Sequence, residues 1–252
     1  ETAFGAADGA ASVTAATGGT PTYNYDWTPG TPTGDGTNSV TGLTAGSYTC
    51  TVTDANSCTA QETFLILSPP QVVTTSATSI DITSATLGGE VTADGENVVT
   101  NRGIVYSTSD NTPEIGEPGI TQDDNGSGIG SFSESISTLS AATTYYYQAY
   151  AINGEGTSYG GVEEFTTQNT ILSIVRDGST LTNTSSVSWT ITFAASATGL
   201  TSSNFTLANT GLTSPSITNV SGSGTTWTVT ANTSSGSGTL GLDFTSNTGL
   251  NA

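Results

Sequence analysis

The sequence predicts an all-β protein made of small two-layered sandwiches in tandem, and three observations predict it. Apolar and polar residues alternate with a period of two in most patterned stretches. Each alternating run is short and bounded by Gly, Pro, Asn or Asp. Helical periodicity is nearly absent: the one Ala-rich run, residues 6–16, is interrupted by Asp8-Gly9.

Taken in order, residues 1–68 form the first segment and carry a charge of −6. Gly18-Gly19 and Pro21 set a tight entry into a strand whose rings Tyr23, Tyr25 and Trp27 share one face. Tyr48, Cys50 and Val52 alternate with Thr49 and Thr51, which turns Cys50 inward. Asp54-Ala55-Asn56-Ser57 reads as a hairpin turn into a last strand over residues 63–67. Ser68-Pro69-Pro70 then reads as a stiff, extended joint.

Residues 69–168 form the second segment and carry −12, so the acidity is concentrated there. Tyr146 alternates away from Tyr145 and Tyr147, so one face of that strand is expected to expose tyrosines. A ligand surface in this segment would be sought there first. A second boundary falls at Thr166-Thr167-Gln168-Asn169-Thr170. Residues 169–252 form the third segment and carry −1. Val187, Trp189, Ile191 and Phe193 alternate with Ser188, Thr190 and Thr192. Trp27, Trp189 and Trp227 all lie in such runs and are assigned to the cores, not to a sugar-stacking platform.

Composition narrows the function classes. The chain has 252 residues, 21 acids and two basic residues, Arg102 and Arg176, for a formal charge of −19, with no Lys, His or Met. Without an imidazole there is no Ser-His-Asp or Cys-His unit, and zinc sites of the usual Cys/His kind are excluded. Two arginines do not neutralise a run of phosphates, so nucleic acid is not an expected partner. No stretch approaches the length of a membrane-spanning helix, so no membrane insertion of this segment is expected. Large aliphatic residues are scarce and the net charge is high, a combination shared with disordered chains. The aromatics nevertheless sit in alternating patterns, and a Thr-rich sandwich needs fewer aliphatics because one face of each sheet is solvated. The start at Glu1 without Met reads as a processed chain or a piece of a longer one.

Paired carboxylates are the remaining catalytic option. Glu163 and Glu164 are adjacent on an expected strand and point to opposite faces. Asp123 and Asp124 are expected in a Gly-rich loop open to water, where nothing separates their pKa values. No catalytic residue is assigned. Asp123, Asp124 and Asn125 resemble half a calcium loop but lack its closing bidentate acid. They are weak calcium candidates, and calcium is the one cofactor considered. Cys50 and Cys58 sit on neighbouring strands but not opposite one another, which leaves a disulfide open. Asn125, Asn183, Asn204, Asn219 and Asn232 fit Asn-x-Ser/Thr, matches that arise by chance in so Thr-rich a chain.

Three resemblances sharpen the picture. Gly18-Gly19 with Tyr23, Tyr25 and Trp27, then Leu43 with Gly46 and Tyr48, then Val52-Thr-Asp54 with Cys58 resemble the SprB-type gliding-adhesin repeat. Ala3 stands where many such repeats carry a Cys. The second segment resembles a fibronectin type III module, with Leu139 and Tyr145 matching its tyrosine corner. The third is similar to bacterial Ig-like adhesin repeats and lacks the strand that usually follows Gly238-Thr-Leu-x-Leu-Asp243. These resemblances imply three tandem Ig-like/fibronectin III-like β-sandwich domains in an extended arrangement. They also imply a non-catalytic segment of a secreted bacterial cell-surface adhesin, exported by type IX secretion and serving attachment or gliding motility. The expected partners are other domains or copies of the same surface protein, or surface glycans. One alternative is an extracellular filament subunit that donates a strand, for which residues 2–17 would have to leave their own module. Another is an accessory region of a secreted polysaccharide-degrading enzyme, which would need an exposed aromatic strip or an acid pair in a cleft.

Overall fold

In the computed structural model, residues 1–179 and 182–245 are described, and nearly all regular structure among them is strand. The one exception is a 3-10 turn at Ser202–Asn204. Whether the third segment lacks its closing strand turns on residues 246–252, which lie outside the described residues.

Five strands come first: β1 (Gly9–Ser12), β2 (Asn24–Thr28), β3 (Ser39–Leu43), β4 (Gly46–Thr53) and β5 (Thr59–Ile66). They form a two-stranded sheet β1-β3 and a three-stranded sheet β2-β4-β5. Between these sheets lie Trp27, Val40, Leu43 and Cys50, all essentially without solvent exposure, with Tyr25, Tyr48, Val52 and Phe64 packed around them. The period-two pattern produces this core because alternate residues of a strand face the same side. Trp27 satisfies its indole N–H by donating to the Thr37 carbonyl at 2.9 Å, and its ring meets Phe64 at 5.6 Å.

Eight strands follow: β6 (Gln71–Thr78), β7 (Ser84–Ala93), β8 (Asn101–Ser107), β9 (Thr121–Asp124), β10 (Gly130–Ser137), β11 (Thr144–Asn153), β12 (Gly156–Tyr159) and β13 (Glu163–Thr166). The sheet orders are β10-β7-β6 and β12-β11-β8-β9, with β13 also pairing β11. The last group is β14 (Ile171–Arg176), β15 (Ser186–Phe193), β16 (Phe205–Thr213), β17 (Ser216–Ser223), β18 (Thr226–Asn232) and β19 (Ser235–Phe244). It makes sheets β14-β15-β18-β17 and β16-β19. Trp189, Ile191 and Phe193 from β15 meet Trp227 and Val229 from β18, and Phe205 and Leu242 close the core from the other sheet.

By compactness the chain divides into two units. One comprises residues 1–76, 87–134 and 146–163; the other comprises residues 77–86, 135–145 and 164–252. The Trp27 core belongs to the first unit and the Trp189–Trp227 core to the second.

Exposed tyrosines on one face of β11 are not found. Tyr145 and Tyr147 are buried, Tyr146 is half-buried, and Gln148, Ala149 and Tyr150 are buried as well. The reason is position: β11 is flanked by hydrogen-bonded neighbours and carries tertiary structure over both faces, so alternation does not leave a wet side.

Candidate functional site

The sequence marks two joints, and the structure seals both. In the first unit, Ser68, Pro69 and Pro70 are buried rather than forming an open linker. The Ser68 amide donates to the Gly95 carbonyl at 2.9 Å. Asn153, itself buried, donates its side-chain amide to the carbonyls of Ser68 and Asp94, each at 2.8 Å, and its side-chain oxygen accepts from the Glu155 amide. Gly95 sits at φ +69°, and a Cβ there would collide with the Ser68 carbonyl, so this close approach requires glycine. What the proline dipeptide does not reveal is the amide from β11 that captures the residue before it.

In the second unit, the Gln168 amide donates to the Asp81 carbonyl, its side chain donates to the Ile80 carbonyl, and its own carbonyl accepts from Ala142. Asn169, almost wholly buried, donates to the carbonyls of Ala195 and Ser196 and accepts from the Thr170 and Ala195 amides. Backbone polar groups that a linker would leave to water are therefore paired inside the protein.

Next to the second joint lies the Tyr145–Leu139 pair. The Tyr145 hydroxyl accepts from the Ser140 amide at 2.9 Å, Leu139 is buried, and the Leu139 amide donates to Thr83. Tyr145 stacks on Phe165 at 5.5 Å.

The acidic stretch departs from expectation. Asp123 and Asp124 are not in an open loop; they end strand β9, opposite Ile104 and Gly103. Adjacent strand residues face opposite sides, so their carboxylates diverge. Their environments also differ, contrary to the expected equivalence. Burial, and then the charges of Glu134 and Asp124, push the Asp123 carboxyl above the ordinary carboxylate value. Hydrogen bonds from the Tyr150 hydroxyl and the Gln122 side chain hold Asp124 below it. Gly103 permits this contact, since a Cβ there would meet the Tyr150 hydroxyl at 2.8 Å.

The loop that follows is organised by Arg102. Its guanidinium donates to the carbonyls of Asn125, Gly128, Ile129 and Gly130, and lies 5.0 Å from the Phe132 ring centre. Asn125 turns its amide toward Glu134 at 2.8 Å. Four backbone carbonyls of this loop thus serve a cation belonging to the chain. Among the described residues no group of three or more His, Cys, Asp or Glu side chains is placed to hold a metal. Sequence reasoning missed Arg102 as the loop's organiser; its rarity in so acidic a chain was the available signal.

Cys50 and Cys58 are free thiols. The register explains it: Cys50 lies opposite Glu62, and the β4–β5 hairpin closes on Thr53 and Thr59, which leaves Cys58 in the turn and exposed. Asp54 organises that turn, accepting from the Asn56 and Cys58 amides and, from outside it, the Thr20 amide at 2.9 Å.

Between residues 12–19 and this hairpin lies a cavity of about 660 Å³. Val13, Tyr23, Cys50, Val52, Ala60 and Glu62 contribute to its wall. Residues directly opposite in an antiparallel pair share a face, so Glu62, opposite the buried Cys50, stands on the inward row of β5.

Sheet pairing and cores together define an all-β protein of antiparallel sheets packed around apolar cores. No protein-family model matches the chain and no curated protein matches it. Among solved structures it is similar to the sensor domain of the anti-sigma factor RsgI4 from Pseudobacteroides cellulosolvens, at 21% identity over 40% of this chain and 96% of that one, TM-score 0.33. It is also similar to the FN1–FN3 domains of chicken CNTN1, at 10% identity over 97% of this chain and 91% of that one, TM-score 0.37. A third is domains A168–A170 of titin, at 17% identity over 59% of this chain and 55% of that one, TM-score 0.30.

Proposed function

We propose that this chain is a non-catalytic structural and adhesive segment of a secreted bacterial surface protein, a load-bearing series of sandwiches lying between an anchor and an attachment surface. The observation that carries this reading is the sealing of both joints by buried side-chain amides, Asn153 on Ser68 and Asn169 on Ala195. A flexible linker would leave these backbone groups in water; a segment that transmits tension gains from having them locked. Antiparallel sheets bonded strand to strand suit the same role. The high negative charge keeps such a segment soluble at the cell surface. The SprB-type resemblance of residues 1–68 adds gliding or attachment as the setting, and type IX secretion as the export route.

Pulling single molecules from end to end tests this. The reading expects discrete, force-resisted unfolding events whose released lengths match sheet groups spanning residues 9–66, 71–166 and 171–244. Smooth extension at low force would refute it.

The filament alternative, in which residues 2–17 leave their module, is disfavoured by pairing. Residues 9–12 are held as β1 against β3, and the Val13 amide donates to Asn38.

A further inference from the structure

Strand β5 is the outer strand of its sheet, paired with β4 alone among the described residues. One edge of its backbone is therefore open to another strand. Most of β5 is exposed on both faces, and its inward row, Ala60, Glu62 and Phe64, borders the cavity beside residues 12–19. A carboxylate on the inward row of an open edge repels an apolar strand and invites one that brings a cation.

The chain offers such a strand. Strand β14 is also an outer strand, at the margin of β14-β15-β18-β17. It exposes Leu172 at 65% and Val175 at 56%. Its last residue, Arg176, lies opposite the buried Trp189 and so shares the inward row. One guanidinium nitrogen of Arg176 is buried with no hydrogen-bond partner among the described residues. An unpaired buried donor costs free energy that a carboxylate recovers. The other arginine, Arg102, sits on β8, an interior strand, with its donors already committed to four carbonyls. Other outer strands fit Glu62 poorly: β9 carries Asp123 and Asp124, β10 carries Glu134, and β17 carries no charge. Pairing β5 with another β5 would bring acid to acid.

We propose that β14 of one copy adds antiparallel to the open edge of β5 of a second copy, with Arg176 swinging out to meet Glu62 at the mouth of the cavity. Backbone hydrogen bonds supply the attraction, and the charge pair fixes the register. The two surfaces differ, so the contact is heterologous and builds rings or open chains of copies rather than two-fold dimers. This inference goes beyond the adhesive reading and stands or falls separately from the pulling behaviour, which concerns one molecule.

The test is sedimentation equilibrium of the whole chain over a wide concentration range, under reducing conditions so that Cys58 forms no cross-link. The expected result is a mass that rises with concentration beyond that of a dimer. E62R and R176E should each weaken association about tenfold or more, and the double reversal E62R/R176E should return it close to the starting value. Thermal melts of each variant confirm folding, and R176M, which keeps the bulk and removes the charge, should weaken association as R176E does. A monomer at every concentration overturns the proposal. So does association that neither reversal changes, or that the double reversal fails to restore.

Discussion

The side-chain amide of Asn153 lies 2.8 Å from the Ser68 carbonyl and 2.8 Å from that of Asp94, so one buried residue at the end of β11 closes the first joint. Asn153→Ala removes the side-chain donor from the Ser68 carbonyl and leaves the Asp94 carbonyl with the longer bond from the Asn97 amide at 3.4 Å. The expected loss is about 1–3 kcal/mol, the usual consequence of orphaned buried polar groups. Urea unfolding followed by tryptophan fluorescence measures it. A variant as stable as the parent would show that water replaces the amide without loss.

Tyr145→Phe removes only the hydroxyl that accepts from the Ser140 amide. About 1 kcal/mol of stability should go with it. Leu139→Ala, beside it in the core, should cost about 2–5 kcal/mol. The ranking of the two in denaturant midpoints separates the hydrogen bond from the packing.

Acid should act on the hairpin turn. Amides of Thr20 and Cys58 hold the Asp54 carboxyl below its ordinary value of 3.8. A depressed folded pKa means stability that is present above the ordinary value and lost as pH falls through the folded one. Asp54→Asn should therefore be less stable than the parent at neutral pH, with the gap closing well below pH 3.8. A gap that stays constant with pH would remove the charge from the explanation. Asp124, held low by Tyr150 and Gln122, contributes with the same sign.

One thiol should be open to reagent in the native protein. Cys58 is exposed and Cys50 is buried, with burial pushing its thiol pKa up. A maleimide should label Cys58 alone, and Cys50 only after unfolding. Mass spectrometry reads the result, and a chain that takes no label when unfolded without reductant would contain the disulfide that the register disfavours.

Arg102→Met should loosen residues 125–130, because four carbonyls lose their shared donor. Limited proteolysis should then cut within those residues faster than in the parent, while the Trp27 core keeps its fluorescence.

The strand pattern was legible because period-two alternation is a local signal: Val187 through Phe193 and Tyr48 through Val52 could be placed inward from their neighbours alone. The Asp54 turn was legible for the same reason, since its bonds to Asn56 and Cys58 lie within four residues. What stayed hidden depends on partners distant in sequence. Ser68 is captured by a residue 85 positions away, and alternation gave no hint that β11 would be covered on both faces. The acids at 123 and 124 were misplaced because a Gly-rich neighbourhood suggests a loop, whereas pairing with β8 extends the strand through them. Arg102 went unnoticed because its role comes from carbonyls, which have no sequence signature.

Hydrogen exchange at the two joints tests the central claim most directly. The amides of Ser68 and Gln168 donate to Gly95 and Asp81. If the joints are locked, these amides exchange as slowly as those in the neighbouring strands. Exchange at the rate of exposed backbone would contradict the account, leaving sandwiches on loose linkers with no means of carrying tension from one to the next.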